Sequence, residues 1–180
     1  MIMSQSSTEI VSHPMKRIIV SKVVVNIGVG KSGEPLEKAK RGLEDLIGQR
    51  PTVRGARKSV RDFGIHKGEP IAAMVTLRRE AALKFLQRTI AAKRNILKAS
   101  SFDNFGNLSI GIQEHIDLPD TKYNPDIGIF GMDVNIALTR PGYSIARKRV
   151  RRSIGKGHRI TKDDAIRFFE KQFGAEVTYA

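Results

Sequence analysis

Residues 18–29 carry Val or Ile at most positions and close on Gly28, Gly30 and Gly33, which predicts a strand ended by a glycine turn. Pro35 suits the first turn of a helix, Leu36, Leu43, Leu46 and Ile47 recur at helical spacing, and Gly48 is placed to stop it. A second strand over 50–60, a charged turn over 61–70 and a returning strand over 71–77 read as a long, basic β-hairpin. Residues 80–92 predict a second helix with Leu83, Leu86 and Ile90 as its apolar stripe, and 93–106 has no regular period. Alternation over 107–113 and again over 132–138 marks two half-buried strands, with a loop over 119–131 between them. Thr161 is placed to cap a last helix reaching Phe173, with Asp163 and Asp164 in its first turn and Gly174 after its end.

This pattern implies an α+β fold: one mostly antiparallel sheet, helices packed on one face, a long basic hairpin and a C-terminal helix. The other sheet face is left free to meet a partner. Three stretches are expected: a flexible polar leader over 1–13, an α+β domain over 14–146, and a basic segment with the closing helix over 147–180, an extension of the same domain.

Charge sharpens the picture. The 180 residues hold 32 Lys+Arg against 18 Asp+Glu, a formal net charge of +14. An excess of that size repels itself unless a polyanion is near, and each phosphate contact also releases a condensed counterion. A merely solubilising basic surface is the plainer reading. The chain has no cysteine, which excludes disulfides, thiolate metal sites and cysteine nucleophiles. No apolar run approaches the roughly 20 residues of a membrane helix, and the opening residues lack an apolar signal core, so a cytoplasmic protein is expected.

Catalytic motifs fare poorly. Gly28-Val-Gly-Lys-Ser-Gly33 matches a dinucleotide fingerprint between a strand and a helix, but Glu44 and Asp45 fall inside the helix instead of ending the next strand. Gly30-Lys-Ser32 imitates the end of a P-loop, yet Val25 stands where its first glycine belongs. His13, His66, His115 and His158 have no second ligand at i+3 or i+4, no Gly-x-Ser-x-Gly elbow occurs, and Asp163-Asp164 is explained by helix-start charge. Neither enzyme, metal nor cofactor is expected; a nucleotide-binding enzyme stays as the competing class.

Three features carry chemistry instead. Arg50, Arg54, Arg57, Lys58, Arg61 and Lys67 line the hairpin, with Phe63 near its tip as a stacking plane for a base or ribose. The alternative is a solvated hairpin with Phe63 folded back. Arg147, Lys148, Arg149, Arg151, Arg152, Lys156 and Arg159 form a second basic segment, too charged to bury itself, that either orders on RNA or is a solubilising or targeting tail. Between Gly106 and Thr139, by contrast, Lys122 is the sole Lys or Arg against Glu114, Asp117, Asp120, Asp126 and Asp133. That stretch reads as turned toward a basic protein, or as an ordinary solvated edge.

Ordered motifs then carry a resemblance: Lys22-Val-Val-Val-Asn-Ile-Gly-Val-Gly30, Gly48-Gln-Arg-Pro51, Ala56-Arg-Lys-Ser59, Phe63-Gly-Ile-His-Lys-Gly-Glu-Pro-Ile71, Val75-Thr-Leu-Arg78, Ser101-Phe-Asp103, Gly106-Asn107 and Gly131-Met-Asp133. Over about residues 14 to 143 the chain resembles the universal large-subunit ribosomal proteins that bind 5S ribosomal RNA, number five in bacterial naming. The extension from Arg147 resembles the archaeal and eukaryotic branch. The resemblance implies a structural role in the central protuberance of the large subunit. Its partners there would be 5S rRNA, large-subunit rRNA, P-site tRNA, other 5S-associated ribosomal proteins, and a basic small-subunit protein across an intersubunit bridge. It assigns 5S rRNA to the sheet residues Asn26, Gln49 and Thr76, beside the basic Arg50 and Arg54. It assigns tRNA to the loop 58–68, with Lys58, Arg61, Phe63, His66 and Lys67, and the bridge to the later strands and acidic loop. Taken alone, Asn26, Gln49 and Thr76 read as structural residues. Arg79-Glu80 departs from the Gly that many members carry after the Val-Thr-Leu-Arg strand, so a slightly altered helix start is expected there. A free regulatory protein acting away from ribosomes is a third reading.

Overall fold

The computed structural model describes residues 13–121, 123–150 and 153–179. The leader over 1–12, Lys122, Arg151, Arg152 and Ala180 lie outside the described residues. Five strands form one antiparallel sheet: β1 (Ile19–Gly28), β2 (Thr52–Gly55), β3 (Pro70–Leu77), β5 (Leu108–Ile112) and β6 (Met132–Thr139), in the spatial order β2-β3-β1-β6-β5. Helices α1 (Glu34–Ile47) and α2 (Arg79–Ala92) follow β1 and β3, and α3 (Lys162–Phe173) closes the chain. Two three-residue strands, β4 (Ile96–Lys98) and β7 (Glu176–Thr178), pair in parallel and tie the segment after α2 to the C-terminus.

Strict alternation in β1, β3 and β6 separates the two faces. Val23, Val25, Ile27, Val75, Leu77, Val134 and Ile136 point into one core with Leu36 and Leu43 of α1, Phe85, Leu86 and Ile90 of α2, and Ile166 and Phe169 of α3. A bulge between Val20 and Lys22 keeps β1 in phase with β6. The α3 helix therefore shares the core of the sheet domain, and Phe102 meets Phe169 edge-on at 5.7 Å.

Helix ends follow the chemistry of their caps. Gly48 adopts φ 73° and returns its N–H to the Glu44 carbonyl at 2.6 Å. Thr161 and Asp164 form a reciprocal capping box. At the start of α2, Arg79 sits at φ +55°, a region that disfavours any side chain beyond glycine.

The hairpin departs from expectation. Its first arm is β2 alone, with a register shift between Arg54 and Gly55, and the arms stay bonded at Ala56, whose N–H donates to the Glu69 carbonyl at 2.8 Å and whose carbonyl accepts from the Gly68 N–H at 2.9 Å. Beyond that point the chain forms a broad loop with one Val60–Ile65 bridge near its tip. Residues 93–106, read as irregular, contain β4.

Candidate nucleic-acid interface

The same alternation that fills the core sets a row of polar groups on the uncovered sheet face. Across one register Thr52, Met74, Asn26, Asp133 and Gly111 lie side by side, and across the next Thr76, Val24, Asn135 and Ser109. Arg54 stands opposite Ala72 and Lys22 opposite Ala137, on the same face. Thr76, Asn135, Ser109 and Thr52 are exposed and Asn26 is half-buried. Ser109 Oγ donates to Asn135 Oδ1 at 2.8 Å, which leaves the Asn135 amide N–H groups for an outside acceptor. Asn26, Thr76 and Arg54 are thus brought together, while Gln49 and Arg50, both exposed, follow the left-handed Gly48 at the margin near β2.

Lys22, Thr52, Ser109 and Asn135 were not singled out from sequence, although their phase opposite the buried positions could have found them. Asp133 needs a correction: it was grouped with the acidic loop, but it lies on the open sheet face beside Asn26. Its phase against the buried Met132 and Val134 puts it there.

At the hairpin tip, Lys58, Arg61, Phe63, His66 and Lys67 are all exposed, Phe63 at 74 %. Phe63 does not fold back. Backbone and polar bonds shape the loop: Val60 and Ile65 exchange N–H···O bonds at 2.9 and 3.1 Å, and Lys67 N–H donates to Ser59 Oγ at 2.9 Å. Glu69, not foreseen as important, joins two loops. It accepts from the His66 N–H at 3.0 Å and from the Ser32 hydroxyl at 2.7 Å, and these bonds, the His66 one foremost, hold its carboxyl below the usual range.

The glycine loop over 28–33 turns two of its N–H groups and the Ser32 hydroxyl toward the neighbouring chain. Val29 and Gly30 N–H groups both donate to the Ile71 carbonyl, at 3.0 and 3.1 Å, and Ser32 is spent on Glu69. The antiparallel sheet lacks the parallel β-α-β frame of a dinucleotide site.

The basic extension does more than dangle. Arg147, Lys148, Arg149, Lys156 and Arg159 are exposed, whereas Arg151 and Arg152 lie outside the described residues. Around them Arg140, 9 % exposed, donates to the His158 and Arg159 carbonyls and pairs with Asp164 at 3.0 Å. Tyr143 Oη donates to the His158 carbonyl at 3.1 Å and accepts from the Ile160 N–H at 2.8 Å. These bonds hold residues 158–160, at the end of the basic segment, against Arg140 and Tyr143.

On the helical side, Glu114, Asp117, Asp120 and Asp126 are exposed on one loop. Arg88 anchors that loop by donating to the Pro119 carbonyl and Thr121 Oγ1, and to the Leu46 carbonyl on α1. His115 is buried under it, stacked on Phe130 at 4.1 Å with Nδ1 unpartnered, and burial lowers its pKa against the opposing pull of Glu114.

Comparison with known proteins decides the family. Residues 13–66 match the family described as ribosomal protein L5, and residues 70–168 match the C-terminal part of that ribosomal family. The chain belongs to the ribosomal L5 family. It is 54 % identical over 92 % of its length to the large ribosomal subunit protein uL5 of Pyrobaculum aerophilum, covering 93 % of that protein. To the uL5 proteins of Sulfolobus acidocaldarius and Archaeoglobus fulgidus it is 51 % and 48 % identical, over 91 % and 88 % of this chain and 92 % and 89 % of theirs. The L5 family is structural and non-enzymatic. Among the described residues no cluster of three or more His, Asp or Glu could hold a metal, and no helix is long and apolar enough to cross a membrane.

Proposed function

We propose that this L5-family chain is a cytoplasmic large-subunit ribosomal protein that holds 5S rRNA against its open sheet face and so attaches it to the central protuberance. The observation that carries this reading is the uncovered row of neutral hydrogen-bonding groups, Asn26, Thr76, Asn135 and Ser109, flanked by Lys22 and Arg54. Amides and hydroxyls suit ribose 2′-OH groups and base edges, and the guanidinium suits phosphate. Gln49 and Arg50 extend the same surface. The domain over 14–146 is the RNA-binding unit, and 147–180 adds phosphate contacts through its Arg and Lys residues.

The tip residues Lys58, Arg61, Phe63, His66 and Lys67 meet P-site tRNA, as an exposed ring among cations supports. The acidic loop faces a basic small-subunit protein at an intersubunit bridge. Filter binding tests the central claim: Asn26→Ala, Gln49→Ala and Thr76→Ala should each weaken 5S rRNA binding by about 1–2 kcal/mol, the cost of a partner left unpaired. Wild-type affinity in all three would remove the sheet-face site. Arg61→Ala and Phe63→Ala should leave 5S affinity nearly intact and loosen tRNA in the P site.

A further inference from the structure

One exposed ring lies outside every surface described so far. Phe105, 65 % exposed, projects from the turn between β4 and β5. That turn is not loose: Asp103 accepts from the Phe105 and Asn107 N–H groups at 2.9 and 2.7 Å and from the Asn107 side-chain amide at 2.7 Å. Gly106 abuts Ile160 so tightly that a Cβ would lie 2.4 Å from its Cγ2. The ring is therefore held in water by a braced turn, beside a cavity of about 290 Å³ lined by Tyr143, Ser153, Ile154, Arg159 and Ile160. Among the described residues no carboxylate lines the cavity, and the nearby Asp103 carboxylate is taken up by its own turn. Arg159 is steadied by its Nε–H donating to the Ile154 carbonyl at 3.2 Å, and the exposed Arg147, Lys148, Arg149 and Lys156 belong to the same basic stretch of sequence.

We propose that this cavity takes one unpaired base of ribosomal RNA, stacked on Phe105, with the Arg159 guanidinium over the base or on its phosphate. A fixed aromatic face and a guanidinium, in a cavity that no carboxylate lines among the described residues, form the recognition set for a single-stranded nucleotide. The inference rests on the chain binding ribosomal RNA and is independent of the sheet-face site.

The sequence contains no tryptophan, so Phe105→Trp in the full chain creates a single reporter. It is titrated with 5S rRNA and, separately, with protein-free large-subunit rRNA. One of the two should quench its emission on binding. Phe105→Ala should weaken binding to that RNA about 5- to 150-fold, the range for loss of one stacked base. Phe105→Leu should also weaken it, Phe105→Trp should not, and the salt dependence should stay unchanged because no phosphate contact is lost. Because Phe105 is exposed, circular dichroism should match wild type in all three. Emission indifferent to both RNAs while binding proceeds overturns the proposal, and so does protection of the ring only after other ribosomal proteins are added. Thr76→Ala, run in parallel, separates the two sites: a loss there without a loss at Phe105→Ala keeps the sheet face and removes the cavity, and the reverse keeps only the cavity.

Discussion

Removing Asp164 should unlock the C-terminal extension from the sheet domain. Its carboxylate takes the Arg140 guanidinium at 3.0 Å and the Thr161 N–H at 3.3 Å, with side-chain exposures of 9 % for Arg140 and 34 % for Asp164. Breaking a fully buried ion pair costs about 3–5 kcal/mol because a charge is left uncompensated. Here water reaches the acid side, so the loss falls below that range, at about 2 kcal/mol, and the lost arm of the capping box adds about 0.5 kcal/mol. Asp164→Ala should therefore cost about 2–3 kcal/mol in urea unfolding. Arg140→Met removes the buried charge together with its unpartnered Nε and should cost less, about 1 kcal/mol, even though the bonds to the His158 and Arg159 carbonyls go with it. The double variant should then be little worse than Asp164→Ala alone. Stability within about 0.5 kcal/mol of wild type for Asp164→Ala, or strictly additive losses, would refute the latch.

Gly106→Ala combines φ +78° with a 2.4 Å clash against Ile160 and should lower stability by about 2–4 kcal/mol; a melt unchanged from wild type would show that the turn can yield. Arg79→Gly should raise stability slightly, by about 0.5 kcal/mol, since relief of the left-handed strain exceeds the entropy glycine adds to the unfolded chain; a destabilised variant contradicts this. Burial lowers the His115 pKa, so between that value and the ordinary one near 6.5 the unfolded chain binds the extra proton. Its contribution is thus present above pH 6.5 and is lost as pH falls through that window. Asp45, Asp120 and Arg88 line the same cleft, and His115→Gln should flatten this part of the unfolding-versus-pH curve while leaving the carboxylate-driven fall at lower pH.

What the sequence made legible followed from period and caps. The alternation of β5 and β6, the Val-rich β1, and helix ends at Gly48, Thr161 and Gly174 all lie in local patterns with one physical solution. The strands β4 and β7 were invisible because three residues are too few to show a period, and their partners are 80 positions apart in register, Ile96 against Glu176. Arg140 reads as the first residue of a Pro-Gly turn, and nothing local says that it will be buried against carbonyls from the extension. At the candidate interface the basic residues were evident from composition. The neutral ones beside them, Ser109 and Asn135, became distinguishable only once register set them in line with Thr76.

The division of polar groups between sheet and loops follows from how sharply each kind of contact depends on distance. A hydrogen bond needs its heavy atoms within about 2.7–3.2 Å and weakens steeply when misaligned, so a shift of about 1 Å removes it. A cation about 5 Å from a phosphate loses only about a sixth of its Coulomb energy over the same shift, because that energy falls as 1/r. Neutral readers therefore belong on strands whose opposite faces are locked into the core, where Asn26 is flanked by the fully buried Val25 and the nearly buried Ile27. Charged groups tolerate loops, and Lys58, Arg61, Lys67, Lys148, Arg149 and Arg159 occupy them. Phe105 and Phe63 test this rule from opposite sides, since stacking also demands position. The Phe105 turn meets the demand with three hydrogen bonds to Asp103 and a close contact with Ile160, and the Phe63 loop with the Val60–Ile65 bridge and the Glu69 link to Ser32. Loosening either brace, by Asp103→Ala or Glu69→Ala, should thus weaken the contact its ring makes while leaving binding that depends on charge alone in place.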